Sequence, residues 1–144
     1  MHPTTAELFS ETIDKTGSWL QELMQDLGAS HPQQAYSVLR AVLHTLRDRL
    51  TVGEAADLGA QLPTLVRGFY YEGWRPTGRP ERMRHKEEFL RHVKQLYAGL
   101  SDTDRERAVR AVFRLLSGHV TAGELKHVRE QLPPEIRALW DSQG

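Results

Sequence analysis

Residues 40–67, RAVLHTLRDRLTVGEAADLGAQLPTLVR, return 70 positions later as residues 110–137, RAVFRLLSGHVTAGELKHVREQLPPEIR. The two stretches align without a gap. Arg110, Ala111 and Val112 fall on Arg40, Ala41 and Val42, and Leu116 falls on Leu46. Thr121, Gly123 and Glu124 repeat Thr51, Gly53 and Glu54. Gln131, Leu132 and Pro133 repeat Gln61, Leu62 and Pro63, and Arg137 repeats Arg67. Further upstream, Phe89 and Leu90 fall on Trp19 and Leu20, and Val93 on Leu23. Chance does not keep register, caps and QLP together over that length. Each copy carries an apolar face too large to leave in water, so two copies are expected to bury those faces in one shared core. The expected organisation is a single domain over 1–144, with a first repeat at 8–74, a link at 75–80 and a second repeat at 81–144.

The periodicity inside each copy is helical. Leu39, Val42, Leu43, Leu46 and Leu50 form one stripe at spacings of three and four, with Arg40, His44, Arg47 and Asp48 on the wet side. Thr51 with Glu54, and Thr121 with Glu124, have the spacing of a capping box, in which the Thr hydroxyl takes a backbone N–H and the Glu reaches back. Pro63 can open a short helix through Tyr71. Before the copied segment, Leu8, Phe9, Ile13, Trp19, Leu20, Leu23, Met24 and Leu27 predict a helix over 6–27, broken at Gly17 and ended by a left-handed Gly28. Pro32 suits a first helical turn, and Pro80 suits another. Phe89, Leu90, Val93, Leu96, Tyr97 and Leu100 mark the helix after it, and Ser101 caps the next. No segment alternates as a strand would. The prediction is all-α: a compact helical bundle of two pseudo-symmetric tandem repeats with about eight helices. Because Gln61 and Arg67 recur in the second copy, both read as structural. The Gln satisfies backbone groups at a helix break and the Arg closes a helix C-terminus.

Composition bounds the function. Hydrophobic residues make up 39% and charged residues 26% of 144, a globular balance with enough chain for a core. Nineteen basic residues meet nineteen acidic ones, so no global field draws the chain to nucleic acid or an anionic membrane. The absence of cysteine excludes disulfides, thiolate metal sites and a Cys nucleophile, and fits a reducing compartment. No apolar run approaches the roughly 20 residues that span a bilayer, and the N-terminus lacks a signal-peptide pattern. A cytoplasmic location and no membrane association are expected.

AYSVLRAVLHTLRDRL, TVGEAADLGAQLPTLVRGFYYEGW and RHKEEFL stand in order, with L-x-x-QLP and RG-x-YYEGW at set separations. This combination resembles a bacterial family, domain of unknown function family twenty-two sixty-seven, over residues 11–140. The resemblance implies a compact bundle built from helical repeats in a small cytoplasmic protein. The family has no established activity, so no catalytic residue carries over. In the second copy Trp140 stands where YYEGW begins, so that block occurs once per chain.

Candidate function therefore gathers in residues 67–85, RGFYYEGWRPTGRPERMRH. Tyr70, Tyr71 and Trp74 are residue types that dominate interaction hot spots, and they are equally suited to wrapping a repeat interface. Arg75, Arg79 and Arg84 extend the same surface. Between residues 67 and 94 eight basic residues face four acids, which leaves a phosphate-binding reading open as the alternative. His85, Glu88 and His92 share a helical face, but His85 and His92 are separated by roughly 10 Å of helix rise at 1.5 Å per residue, too far for one ion without strain. No metal and no cofactor are expected. There is no G-x-S-x-G, P-loop or dinucleotide glycine pattern. The expected function is non-enzymatic association, with a protein partner or with itself, as a monomer or homodimer. Nucleotide or RNA binding through the Arg-rich link is the alternative.

Overall fold

Side-chain caps start many of the helices in this chain, and the longest helices then bury one face each. The structure, a computed structural model, describes residues 1–141. Residues 142–144, the end of the expected second repeat, lie outside the described residues. The elements are α1 (Thr5–Leu8), α2 (Ser10–Leu27), α3 (Pro32–Arg49), α4 (Val52–Gly59), α5 (Thr64–Tyr71), α6 (Lys86–Leu96), α7 (Asp102–His119), α8 (Ala122–Gln131) and α9 (Pro134–Asp141). Among the described residues this is nine helices and no strand, an all-α compact bundle.

The ninth helix comes from a break at Phe9 rather than at Gly17. α2 runs unbroken through Gly17, an exposed position where the helix tolerates glycine at a cost of about 1 kcal/mol. The expected stripe also begins later than its first apolar residues. Leu8, Phe9 and Ile13 are exposed, and burial starts with Thr16, Trp19 and Leu23. Gly28 ends α2 at φ 68°, its N–H donating to the Met24 carbonyl.

α3 and α7 pack on each other, and α2 and α6 each touch both. Leu39, Val42, Leu43 and Leu46 meet Val109, Val112, Phe113 and Leu116 in one core, all essentially shielded from water. Each such side chain contributes about 1.5–3 kcal/mol. The remaining contacts come in couples: α5 lies on α3 and α2, α9 lies on α7 and α6, and α4 packs on α8.

Two further expectations need correction. No helix starts at Pro80. Residues 79–83 are instead drawn onto the end of α3, where Glu81 N–H donates to the Asp48 carbonyl at 2.8 Å and Arg49 Nε donates to the Met83 carbonyl at 2.8 Å. α6 begins at Lys86, with Glu88 reaching back to the N–H groups of Arg84 and His85. The wet side of α3 is also drier than its composition suggests: His44 and Arg47 are buried, each 4% exposed. Their partners explain it. α5 ends against them, and carbonyls at its C-terminal end take His44 Nε2 at Phe69 (2.7 Å) and Arg47 Nη1 at Tyr70 (2.7 Å) and Glu72 (3.0 Å).

Candidate functional site

The link residues divide into framework and surface. Tyr70 is fully buried, its hydroxyl donating to the Ala55 carbonyl at 2.7 Å, and burial pushes its phenol well above the ordinary range. Tyr71 and Trp74 are half-buried against the core with ring centroids 5.2 Å apart. Tyr71 lies on Gly59, where an added Cβ would come 2.5 Å from its hydroxyl oxygen, so the glycine gives α5 its close approach to α4. The Trp74 indole N–H is buried without an acceptor. Arg79 is largely buried beside Asp48 (3.4 Å) and Glu81 (3.6 Å). Arg75 and Arg84 are exposed, as is Arg82. Tyr71 and Trp74 thus stand together, while Arg79 is turned to a structural ion pair.

His85, Glu88 and His92 do not converge. His85 Nδ1 lies 2.9 Å from Glu135, whose hydrogen bond holds the imidazole above its usual pKa. His92 Nε2 pairs with Glu81 at 3.1 Å, and Glu88 is occupied at the start of α6.

A different constellation forms where α4 meets α8. Thr51 and Thr121 hydroxyls cap their helices as expected, accepting from Glu54 N–H (3.2 Å) and Glu124 N–H (3.3 Å). The return arm of each box is taken by a glutamine from the other copy. Gln131 Oε1 accepts from Thr51 N–H at 3.1 Å, and Gln61 Oε1 accepts from Thr121 N–H at 2.9 Å. Gln61 Nε2 also donates to the Thr121 hydroxyl at 3.1 Å. With the cap N–H groups already satisfied, Glu54 and Glu124 face each other instead. Oxygens of Glu54, Asp57 and Glu124 all lie within 4.8 Å of one another. Burial, reinforced by Glu124, pushes the Glu54 carboxyl up to about 8. In sequence Glu54 reads only as a capping residue. The available signal was the recurrence of Gln61 and Gln131 beside the two Thr–Glu pairs.

Arg67 and Arg137 close the ends of α4 and α8. Arg67 donates to the carbonyls of Gly59 (2.9 Å) and Leu62 (2.9 Å), and Arg137 to those of Arg129 (3.0 Å) and Leu132 (2.9 Å).

One surface escaped the sequence reading because its residues looked like core. Leu8, Phe9 and Ile13 are 63%, 53% and 54% exposed, and Leu65 on α5 is 46% exposed. Thr12 accepts from Leu65 N–H at 2.9 Å and so ties the start of α2 to the start of α5. Leu8, Phe9, Leu62 and Pro63 line a groove of about 460 Å³ with Glu11, Lys15 and Arg67 among its polar lining. A second groove of about 500 Å³ shares Lys15, Leu62 and Pro63 and ends on Trp19 and His119, whose rings stack at 4.7 Å.

No match to a curated protein accompanies these features. The family model described as Uncharacterized conserved protein (DUF2267) matches residues 16–139, from the middle of α2 almost to the end of α9, and the chain belongs to that family.

Proposed function

We propose that this chain is a non-enzymatic, cytoplasmic helical module that works by association, with itself or with a protein partner. Its framework is two pseudo-symmetric tandem repeats. The equivalent helices α3 and α7 share bounds at the offset of 70, and the Gln61–Thr121 and Gln131–Thr51 bonds are reciprocal. No helix among the described residues is long and apolar enough to cross a membrane. The observation that carries the reading is exposed apolar surface at the start of α2 and α5: Leu8 and Phe9 line a groove with a charged rim, Ile13 and Leu65 are exposed as well, and the Thr12–Leu65 hydrogen bond joins the two helix starts. Contiguous apolar surface of this kind marks interaction sites more often than scattered single residues do. The half-buried Tyr71 and Trp74, followed in the chain by the exposed Arg75, offer a second contact surface on the same module.

Sedimentation velocity over a wide concentration range, with partner recovery in parallel, tests this for the wild type and for Phe9→Glu and Leu65→Glu. The variants are expected to lose a self-associated species or a recovered partner while keeping the wild-type melting temperature. Indistinguishable behaviour of all three proteins in both measurements overturns the reading. The alternative, nucleotide or RNA binding, rests on the exposed Arg75, Arg82 and Arg84. It requires affinity that falls steeply with salt.

A further inference from the structure

The seam between α4 and α8 concentrates negative charge. Glu54 is 7% exposed, its Oε2 has no hydrogen-bond partner, and Glu124 Oε2 is likewise buried and unpartnered. No Lys, Arg or His forms an ion pair with Glu54, Asp57 or Glu124 among the described residues. Buried polar atoms are nearly always paired, so an orphaned carboxylate oxygen at such a position calls for a missing partner. We propose that this seam binds one calcium-sized divalent cation, held by Glu54 and Asp57 from α4 and Glu124 from α8.

The donor set suits a hard ion, since all three ligands are carboxylates. Their oxygens lie within 4.8 Å of one another. Calcium binds oxygen at about 2.3–2.6 Å, so two ligand oxygens on opposite sides of it stand up to about 5 Å apart, whereas magnesium at about 2.1 Å needs a tighter cage. Asp57 is exposed, which gives the ion an entry path and room for water ligands. The burial of Glu54 follows from the capping arrangement. Because Gln131 serves the Thr51 N–H, Glu54 is free to project into the seam rather than back along its own helix.

A proton competes for the same place. Glu54 and Glu124, whose carboxyl groups lie against each other, can share one across the seam. A further titratable group facing Glu54 is the Tyr70 phenol from α5.

The test uses the full chain stripped with chelator. Calorimetric titration with CaCl2 at pH 8 is combined with terbium luminescence excited through tyrosine, since Tyr70 lies beside Glu54. One ion per chain is expected, with a Kd on the order of 10⁻⁴–10⁻³ M at pH 8. Glu54→Gln keeps the volume and can donate to Glu124, so it should fold and lose the site. Asp57→Asn, at an exposed position, should weaken binding by about tenfold or more as ligand charge is removed. Absence of heat and of sensitised emission in the wild type at 10 mM metal overturns the proposal. Binding that survives unchanged in both variants also overturns it, because the ion is then elsewhere.

Discussion

Gln61 accepts a hydrogen bond from the backbone N–H of Thr121 at 2.9 Å, so the end of one sequence copy caps the start of the last helix pair in the other. Gln131 does the same for Thr51 at 3.1 Å. These two bonds clasp α4 to α8. Gln61→Ala removes the acceptor of a helix-start N–H and is expected to cost about 0.5–1.5 kcal/mol in urea unfolding. The double substitution with Gln131→Ala should cost more than either alone. A double variant as stable as the wild type would remove the clasp from any account of the fold.

Glycine substitutions should separate propensity from packing. At Gly17 a Cβ meets nothing within 4 Å, so Gly17→Ala is expected to stabilise by about 0.5–1 kcal/mol. That corresponds to a rise of about 2–4 °C in Tm. At Gly59 the same methyl would sit 2.5 Å from the Tyr71 hydroxyl and 3.0 Å from the buried Tyr70 ring. Gly59→Ala is therefore expected to lower Tm, with overpacking costs of about 1–3 kcal/mol. Thermal melts of the two variants check both signs at once.

Arg47 and Arg40 lie two helical turns apart on α3 and should differ sharply. Arg47 is buried, pairs with Asp48 at 2.9 Å and holds the last carbonyls of α5. Arg47→Ala leaves the Tyr70 and Glu72 carbonyls without this donor while Asp48 keeps Arg79 at 3.4 Å, at a cost of about 2–4 kcal/mol. Arg40 pairs with Glu72 at 3.1 Å in an exposed setting, and Arg40→Ala should cost under about 1 kcal/mol. Equal losses in chemical denaturation would contradict the assignment of Arg47 to the α5 terminus.

Glu54 imposes a pH dependence of definite sign. Its carboxyl is raised from 4.5 to about 8 by burial and by Glu124, so folding takes up a proton between those values. The stability it contributes is complete below pH 4.5 and is lost as pH rises through about 8. His44 acts in the opposite direction. Burial lowers its pKa from 6.5, so stability falls as pH drops below that value. The comparison is therefore between wild type and Glu54→Gln, in chelator, from pH 6 to 9. The wild type should lose stability across that range, and the variant should show a flatter profile. Parallel profiles would mean that Glu54 is not the titrating group.

Much of the architecture was legible because it is local. The stripe of Leu39, Val42, Leu43 and Leu46 needs only a 3.6-residue period to identify its helix and inner face, and those residues are buried. Thr51, Ser101 and Thr121 name their own helix starts, since a hydroxyl bonds a backbone N–H three residues away. Local signals failed where the decisive partner was remote. Pro80 suits a helix start, but Glu81 N–H is engaged by Asp48, so the helix waits until Lys86. Phe9 and Ile13 fit an apolar stripe, but their part of the chain precedes the first buried turn of α2.

The chain's own sequence determined an all-α bundle, because periodicity and caps act within a few positions. Only the tertiary structure decided how Gln61, Gln131, Glu54 and Glu124 are used. A backbone N–H donates to whichever acceptor reaches it, and here the reaching side chain comes from 60 or 80 residues away. Once the glutamines hold the caps, the two glutamates meet in the α4–α8 seam. Their pairing by proton or cation is a property of that meeting and of neither residue alone.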